Sequence, residues 1–144
     1  MKRNEFIVLL AEDNTTDVLI MREALLNTER EVILHVVSDG DAACAFLQQS
    51  GSFAGAPRPD LIFLDLNMPR KNGIEVLEHA KTDPALCGIP VIMLTTSRAE
   101  EDVARAYAAH ANCYLRKPAD FSDFAALIRQ VTHFWLFQAS MVRN

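Results

Sequence analysis

Four short polar clusters interrupt an otherwise apolar pattern: Glu12-Asp13-Asn14, Asp65-Leu66-Asn67, Thr95-Thr96-Ser97 and Arg116-Lys117-Pro118. If Glu12, Asp13 and Asp65 meet in one pocket, their charges repel, and at least one carboxyl stays protonated unless a cation joins them. A hard divalent ion resolves the conflict. Carboxylate oxygens, waters and a main-chain carbonyl at about 2.0–2.1 Å form the octahedron that Mg²⁺ demands. Lys117 offers a second positive charge and Thr95 a hydroxyl donor, and together they outline a seat for a doubly charged tetrahedral oxyanion. An aspartate in such a seat can accept a phosphoryl group, because the cations neutralise charge building on the equatorial oxygens. Taken singly, each residue has an ordinary use: Asn14 or Thr15 caps a helix, Asn67 makes a turn, and Lys117 sits in water. Their succession is what carries the chemistry, each cluster closing its own apolar run.

Those runs are the elements that must position the clusters. Residues 6–10, 32–37, 61–64, 91–94 and 113–115 are short, apolar and rich in β-branched side chains, as strands buried on both faces are. Helical periodicity fills the intervals, with inward stripes expected at Val18, Met21 and Leu25; Ala43, Phe46 and Leu47; Ile74, Leu77 and Ala80; and Val103, Tyr107 and His110. The last helix, over 120–137, carries Phe121, Phe124, Ile128, Val131 and Trp135. Ser97 and Glu100 have capping-box spacing, and Asp120 and Asp123 place acids at the start of the last helix. Strict βα alternation predicts an α/β fold: a doubly wound five-stranded parallel sheet, order 2-1-3-4-5, with right-handed crossovers and helices on both faces. In such sheets a ligand binds outside the carboxyl ends of the strands, where the winding reverses.

Composition bounds the rest. The 144 residues suffice for one domain, 1–144. Half are apolar (50%) and 23% are charged, which excludes a disordered chain. With 14 basic and 19 acidic residues the net charge is −5, and without a basic run neither nucleic acid nor an anionic membrane surface is an expected partner. The apolar start ends at Glu12-Asp13, too early for a signal peptide, and no stretch reaches the roughly 20 residues of a membrane span. Cys44, Cys87 and Cys113 lack paired spacing and read as buried thiols of a cytoplasmic protein. His35, His79, His110 and His133 are scattered without ligand spacing.

The four clusters in this order, with Met68-Pro69 and Asn72-Gly73 after the second, resemble the receiver domain of two-component response regulators, with its flavodoxin-like topology. The resemblance implies that Asp65 is the phosphoacceptor, supplied by a phosphohistidine on a sensor histidine kinase. It further implies that Asp13 ligates Mg²⁺ directly, Glu12 through water, and the main-chain carbonyl of Asn67 beside them. Lys117 would pair with the phosphate through a Lys117–Pro118 bond that is usually cis in the family, and Thr95 and Tyr114 would be the coupled switch pair. Thr96 is bulkier than the Ala or Gly common there, so phosphoryl access and hydrolysis are expected to differ. Within the family, residues 65–73, 112–115 and Phe134-Trp135-Leu136 resemble the small regulators partnered with phytochrome-type kinases.

The physical logic of the switch is independent of the family. An acyl phosphate adds about two negative charges, the Thr95 hydroxyl reaches it by moving inward, and the space it leaves admits the Tyr114 ring. No output domain is expected after the last helix, so output is by contact. That helix carries more apolar surface than one core face uses, which marks Phe124, Leu127, Phe134, Trp135 and Phe137 as an interface. A homodimer through the fourth and fifth βα units is expected, as in relatives of the subfamily. Two other classes compete: a haloacid-dehalogenase-type phosphohydrolase, which needs an acid where Asn67 stands, and a receiver-like module that takes no phosphate.

Overall fold

The computed structural model describes residues 4–143. Its strands are β1 (Phe6–Ala11), β2 (Val32–Val37), β3 (Leu61–Leu64), β4 (Val91–Thr95) and β5 (Cys113–Arg116). They alternate with α1 (Thr15–Ala24), α2 (Gly40–Gln48), α3 (Gly73–Thr82), α4 (Glu100–Ala108) and α5 (Phe121–His133). All pairs are parallel, in the order β2-β1-β3-β4-β5. The sheet is therefore the doubly wound one the alternation predicts.

The two-residue period of β1 divides the core. Leu9 and Ala11 face a cluster built with α2 and α3, whereas Phe6, Val8 and Leu10 face one built with α1 and α5. The central strands β1, β3 and β4 are buried throughout, and the edge strands β2 and β5 only partly.

Several local expectations change. In α4 the inward residue is Ala106, fully buried, while Tyr107 is 48% exposed and His110 lies outside the helix with φ 73°. A helix that approaches the sheet through alanine leaves its larger side chains outside, so an apolar stripe read by size points the wrong way. Ser97 does not cap α4, whose N-cap Ala99 has no side-chain bond. The Ser97 hydroxyl instead donates to Asp102 Oδ2 at 2.5 Å. A capping box does form at α3, between Asn72 and Glu75. Every peptide bond among the described residues is trans, Lys117–Pro118 included. The two isomers of such a bond differ by only about 1 kcal/mol, so context selects between them. Burial raises the Cys44 and Cys113 thiols above the ordinary range, as expected of inert thiols, but Cys87 is exposed, its Sγ on the Pro84 carbonyl in the turn after α3.

The last helix covers the expected span but changes type before its end. Regular α-helix ends at His133, and Phe134–Gln138 form a wider π-type turn closed by the Ala139 N–H on the Phe134 carbonyl at 2.8 Å. This re-aims the terminal aromatics: Leu136 is buried, and the Phe137 ring meets Phe6 edge-on at 5.4 Å.

Candidate functional site

The ladder of β1 and β3 sets the acids side by side. The Asp65 N–H donates to the Ala11 carbonyl at 3.0 Å and the Glu12 N–H to Val37 at 2.9 Å, so both chains stay extended until their acidic residues emerge at the same edge. Past β4, the Lys117 N–H donates to the Thr95 carbonyl at 2.8 Å, which brings the lysine over from β5. Two glycines allow the loops to close in. A Cβ at Gly73 would lie 2.3 Å from the Asp65 carbonyl oxygen, and one at Gly40 2.0 Å from that of Lys71, so neither position admits a side chain.

Carboxylate oxygens of Glu12, Asp13 and Asp65 all lie within 4.8 Å of one another. Glu12 and Asp65 are buried and Asp13 is exposed at the mouth. The Lys117 ammonium, its side chain only 6% exposed, bonds Glu12 Oε1 and Asp17 Oδ2, the latter at 2.8 Å, and stands 3.5 Å from Asp65 Oδ2. Burial pushes the Glu12 carboxyl up to about 7; its hydrogen bond from Lys117 opposes this and neighbouring Asp65 adds to it. Burial alone would lower the lysine, but Asp17, Glu12 and Asp65 more than offset it, and its net shift is upward. The pocket is therefore short of positive charge. Its all-oxygen donor set suits a hard divalent cation, which would stabilise both buried acids as carboxylates. The Asn67 N–H donates to Asp65 Oδ1 at 3.4 Å, holding that peptide at the rim.

The other expected residues fall into two groups. Thr95 is fully buried, its hydroxyl accepting the Ser97 N–H at 3.4 Å, and the Tyr114 hydroxyl donates to the Ser97 carbonyl at 3.1 Å. Thr95 and Tyr114 thus share one intermediary, the β4–α4 loop. The Tyr114 N–H also donates to the Tyr107 hydroxyl at 3.1 Å. The residues expected at an interface do not form one surface. Phe124 is 2% exposed and belongs to the core, because it faces the sheet one turn into α5. Phe137 packs on Phe6. Trp135 is half-buried and Phe134 is 51% exposed; both border an open groove of about 300 Å³ with Cys113 and Val131. Leu127 is half-buried.

Sequence reasoning missed Asp17. Its place one turn into α1, where its N–H meets the Asn14 cap at 3.0 Å, reads as an acid favoured by the helix dipole. Only the approach of α1 to the lysine of β5 gives it a second use.

Comparison with known proteins agrees with this geometry. The sequence profile described as the response regulator receiver domain matches residues 8–129. The chain belongs to the response regulator receiver family. Response regulator Rcp1 of Synechocystis sp. is 44% identical over 130 residues, which span 90% of this chain and 88% of that protein. Two solved receivers superpose over 96% of this chain and 99% of their own. One is the phosphorylated cyanobacterial phytochrome response regulator RcpA, with a TM-score of 0.94 at 42% identity. The other is the Mn²⁺-bound form of Rcp1, at 0.92 and 41%. Like other receivers, this one has an acidic pocket fit for a divalent metal. No helix among its described residues is long and apolar enough to cross a membrane.

Proposed function

We propose that this receiver takes a phosphoryl group onto Asp65 from a phosphohistidine of a sensor kinase and relays the change through contacts with other proteins. The observation that carries this reading is the placement of Asp65 within 4.8 Å of the Glu12 and Asp13 oxygens and 3.5 Å from the Lys117 ammonium. In the transfer an Asp65 carboxylate oxygen forms the new O–P bond while the P–N bond to the histidine breaks. The imidazole leaves with that electron pair and is protonated. Asp13, Asp65 and the main-chain carbonyl of Asn67, with Glu12 through water, would hold Mg²⁺, which would supply positive charge to the phosphoryl oxygens. Lys117 supplies the remaining charge from the β5 side.

The charge that arrives on Asp65 draws the Thr95 hydroxyl toward it, and the hydrogen bonds meeting at Ser97 pass the shift to Tyr114. A few kcal/mol of preference inverts a two-state population. The likeness to regulators named for phytochromes supports a phytochrome-type kinase and a cytoplasmic setting. Phe134 and Trp135, which line the β5–α5 groove, together with half-buried Leu127 supply the apolar surface for a homodimer through the fourth and fifth βα units, whereas Phe124 and Phe137 are already spent on the chain's own core.

Incubation with acetyl phosphate and Mg²⁺, followed by intact-mass measurement, tests the phosphoacceptor. The wild type is expected to gain one phosphoryl mass, and Asp65→Asn none. Gain by Asp65→Asn, or none by either, overturns the reading. Sedimentation of wild type against Trp135→Ala tests the dimer, which an unchanged monomeric mass in both would exclude.

A further inference from the structure

Lys117 is the cation a phosphoryl group on Asp65 needs, yet its ammonium is engaged elsewhere. Glu12 Oε1 and Asp17 Oδ2 both bond Nζ, the latter at 2.8 Å, against 3.5 Å for Asp65 Oδ2. With the lysine side chain 6% exposed and that of Asp17 17% exposed, little water competes for the contact. Asp17 also stands outside the group of acids whose oxygens converge. A divalent ion taken by Glu12, Asp13 and Asp65 would offset two of their three charges, drawing on Glu12, the other acid bonded to Lys117, and would leave Asp17 holding a full charge against the lysine. Asp17 is held from behind, since the N-cap bond from its own N–H to Asn14 fixes the first turn of α1.

We propose that Asp17 is a positioning residue that retains the Lys117 ammonium in the unphosphorylated chain, so that phosphorylation of Asp65 must draw the lysine off it. This rests on Asp65 being the phosphoacceptor. The contact stabilises the resting form and not the phosphorylated one, so Asp17 sets how strongly the pocket must attract a phosphoryl group before the switch is thrown. The carboxylate also repels the incoming phosphate, which acts in the same direction.

The test titrates the whole chain with beryllofluoride, a non-hydrolysing mimic of the acyl phosphate, and follows the fluorescence of Trp135, the single tryptophan. Saturating Mn²⁺ is kept present throughout, so that any change in metal affinity does not enter. Asp17→Asn, which keeps the size of the side chain, is expected to bind beryllofluoride about three- to fivefold tighter than wild type, the fold-change of one partly buried ion pair. Asp17→Ala is expected to do the same. In a Lys117→Met background the gain is expected to vanish, because the lysine is the object of the restraint. A merely structural role for Asp17 would weaken binding or leave it unchanged, and either result overturns the proposal. So does an equal gain without the lysine. If wild type shows no beryllofluoride response that Asp65→Asn abolishes, the phosphoacceptor reading itself falls, and this proposal with it.

Discussion

Buried acids stand at both ends of the sheet, under opposite conditions. At the amino end, the Asp60 side chain is fully buried; it accepts the Ile7 N–H at 2.8 Å and the Arg143 Nε–H at 3.2 Å. Arg143 is itself well placed, with its guanidinium 4.2 Å from the Phe6 ring centroid and a further bond to the Glu5 carbonyl at 2.9 Å. At the carboxyl end, Glu12, Asp17 and Asp65 share the ammonium of Lys117, and Asp13 adds a further acid beside Glu12 and Asp65. One end is compensated and holds the C-terminal segment against the body. The other is under-compensated and reserves room for cations that arrive with function. A buried charge with a complete set of partners is architecture, whereas one left short of partners is a site.

Three measurements test that contrast. Arg143→Ala should have the largest effect, because it removes a cation bonded at 3.2 Å to a fully buried carboxylate. The loss is expected to be about 2 kcal/mol in chemical denaturation, reduced from a fully buried pair by the partial exposure of the arginine. An unchanged midpoint would mean that Asp60 is satisfied without the tail.

The pH dependence of the metal-free chain probes the other end. The Glu12 carboxyl rises from an ordinary 4.5 to about 7 on folding, so between these values the native state keeps a proton that the unfolded chain has released. Stability from this group is fully present below pH 4.5 and declines as pH rises through about 7. Saturating divalent metal should flatten the decline, since the ion stabilises the carboxylate; thermal melts from pH 4.5 to 8, with and without Mn²⁺, read both limbs. A decline of equal slope with metal bound would place the ion elsewhere.

The smallest effect is expected from Asp13→Asn, which removes one of the crowded charges at the exposed mouth. It should raise the stability of the metal-free chain by a few tenths of a kcal/mol while weakening Mn²⁺ binding by tenfold or more. Loss of stability would show that Asp13 is compensated after all.

Much of the pocket was legible along the chain, because it is built where strands end. Strand identity follows from continuous apolar runs, alternation gives the parallel sheet, and the carboxyl edge of such a sheet collects whatever polar residues close each run. Asp13, Asp65, Thr95 and Lys117 are therefore found by position alone. What escaped lies on helices and tails. The inward face of α4 is set by Ala106, a residue too small to announce itself, and Phe124, which lies on the apolar stripe of the last helix and is also expected at an interface, is given wholly to the core by the sheet.

The order of apolar runs and polar breaks thus determines the fold, the location of the pocket and the kind of ion it suits, since these depend on local periodicity and on residue types at strand ends. Tertiary structure alone decided which carboxylates share the Lys117 ammonium, that Arg143 closes over Asp60, and that Lys117–Pro118 is trans. Asp17 and Lys117 are 100 residues apart, and Asp60 and Arg143 are 83 apart. Contacts at such separation are fixed by how helices and termini pack on the sheet, a property of the assembled core to which no local spacing responds.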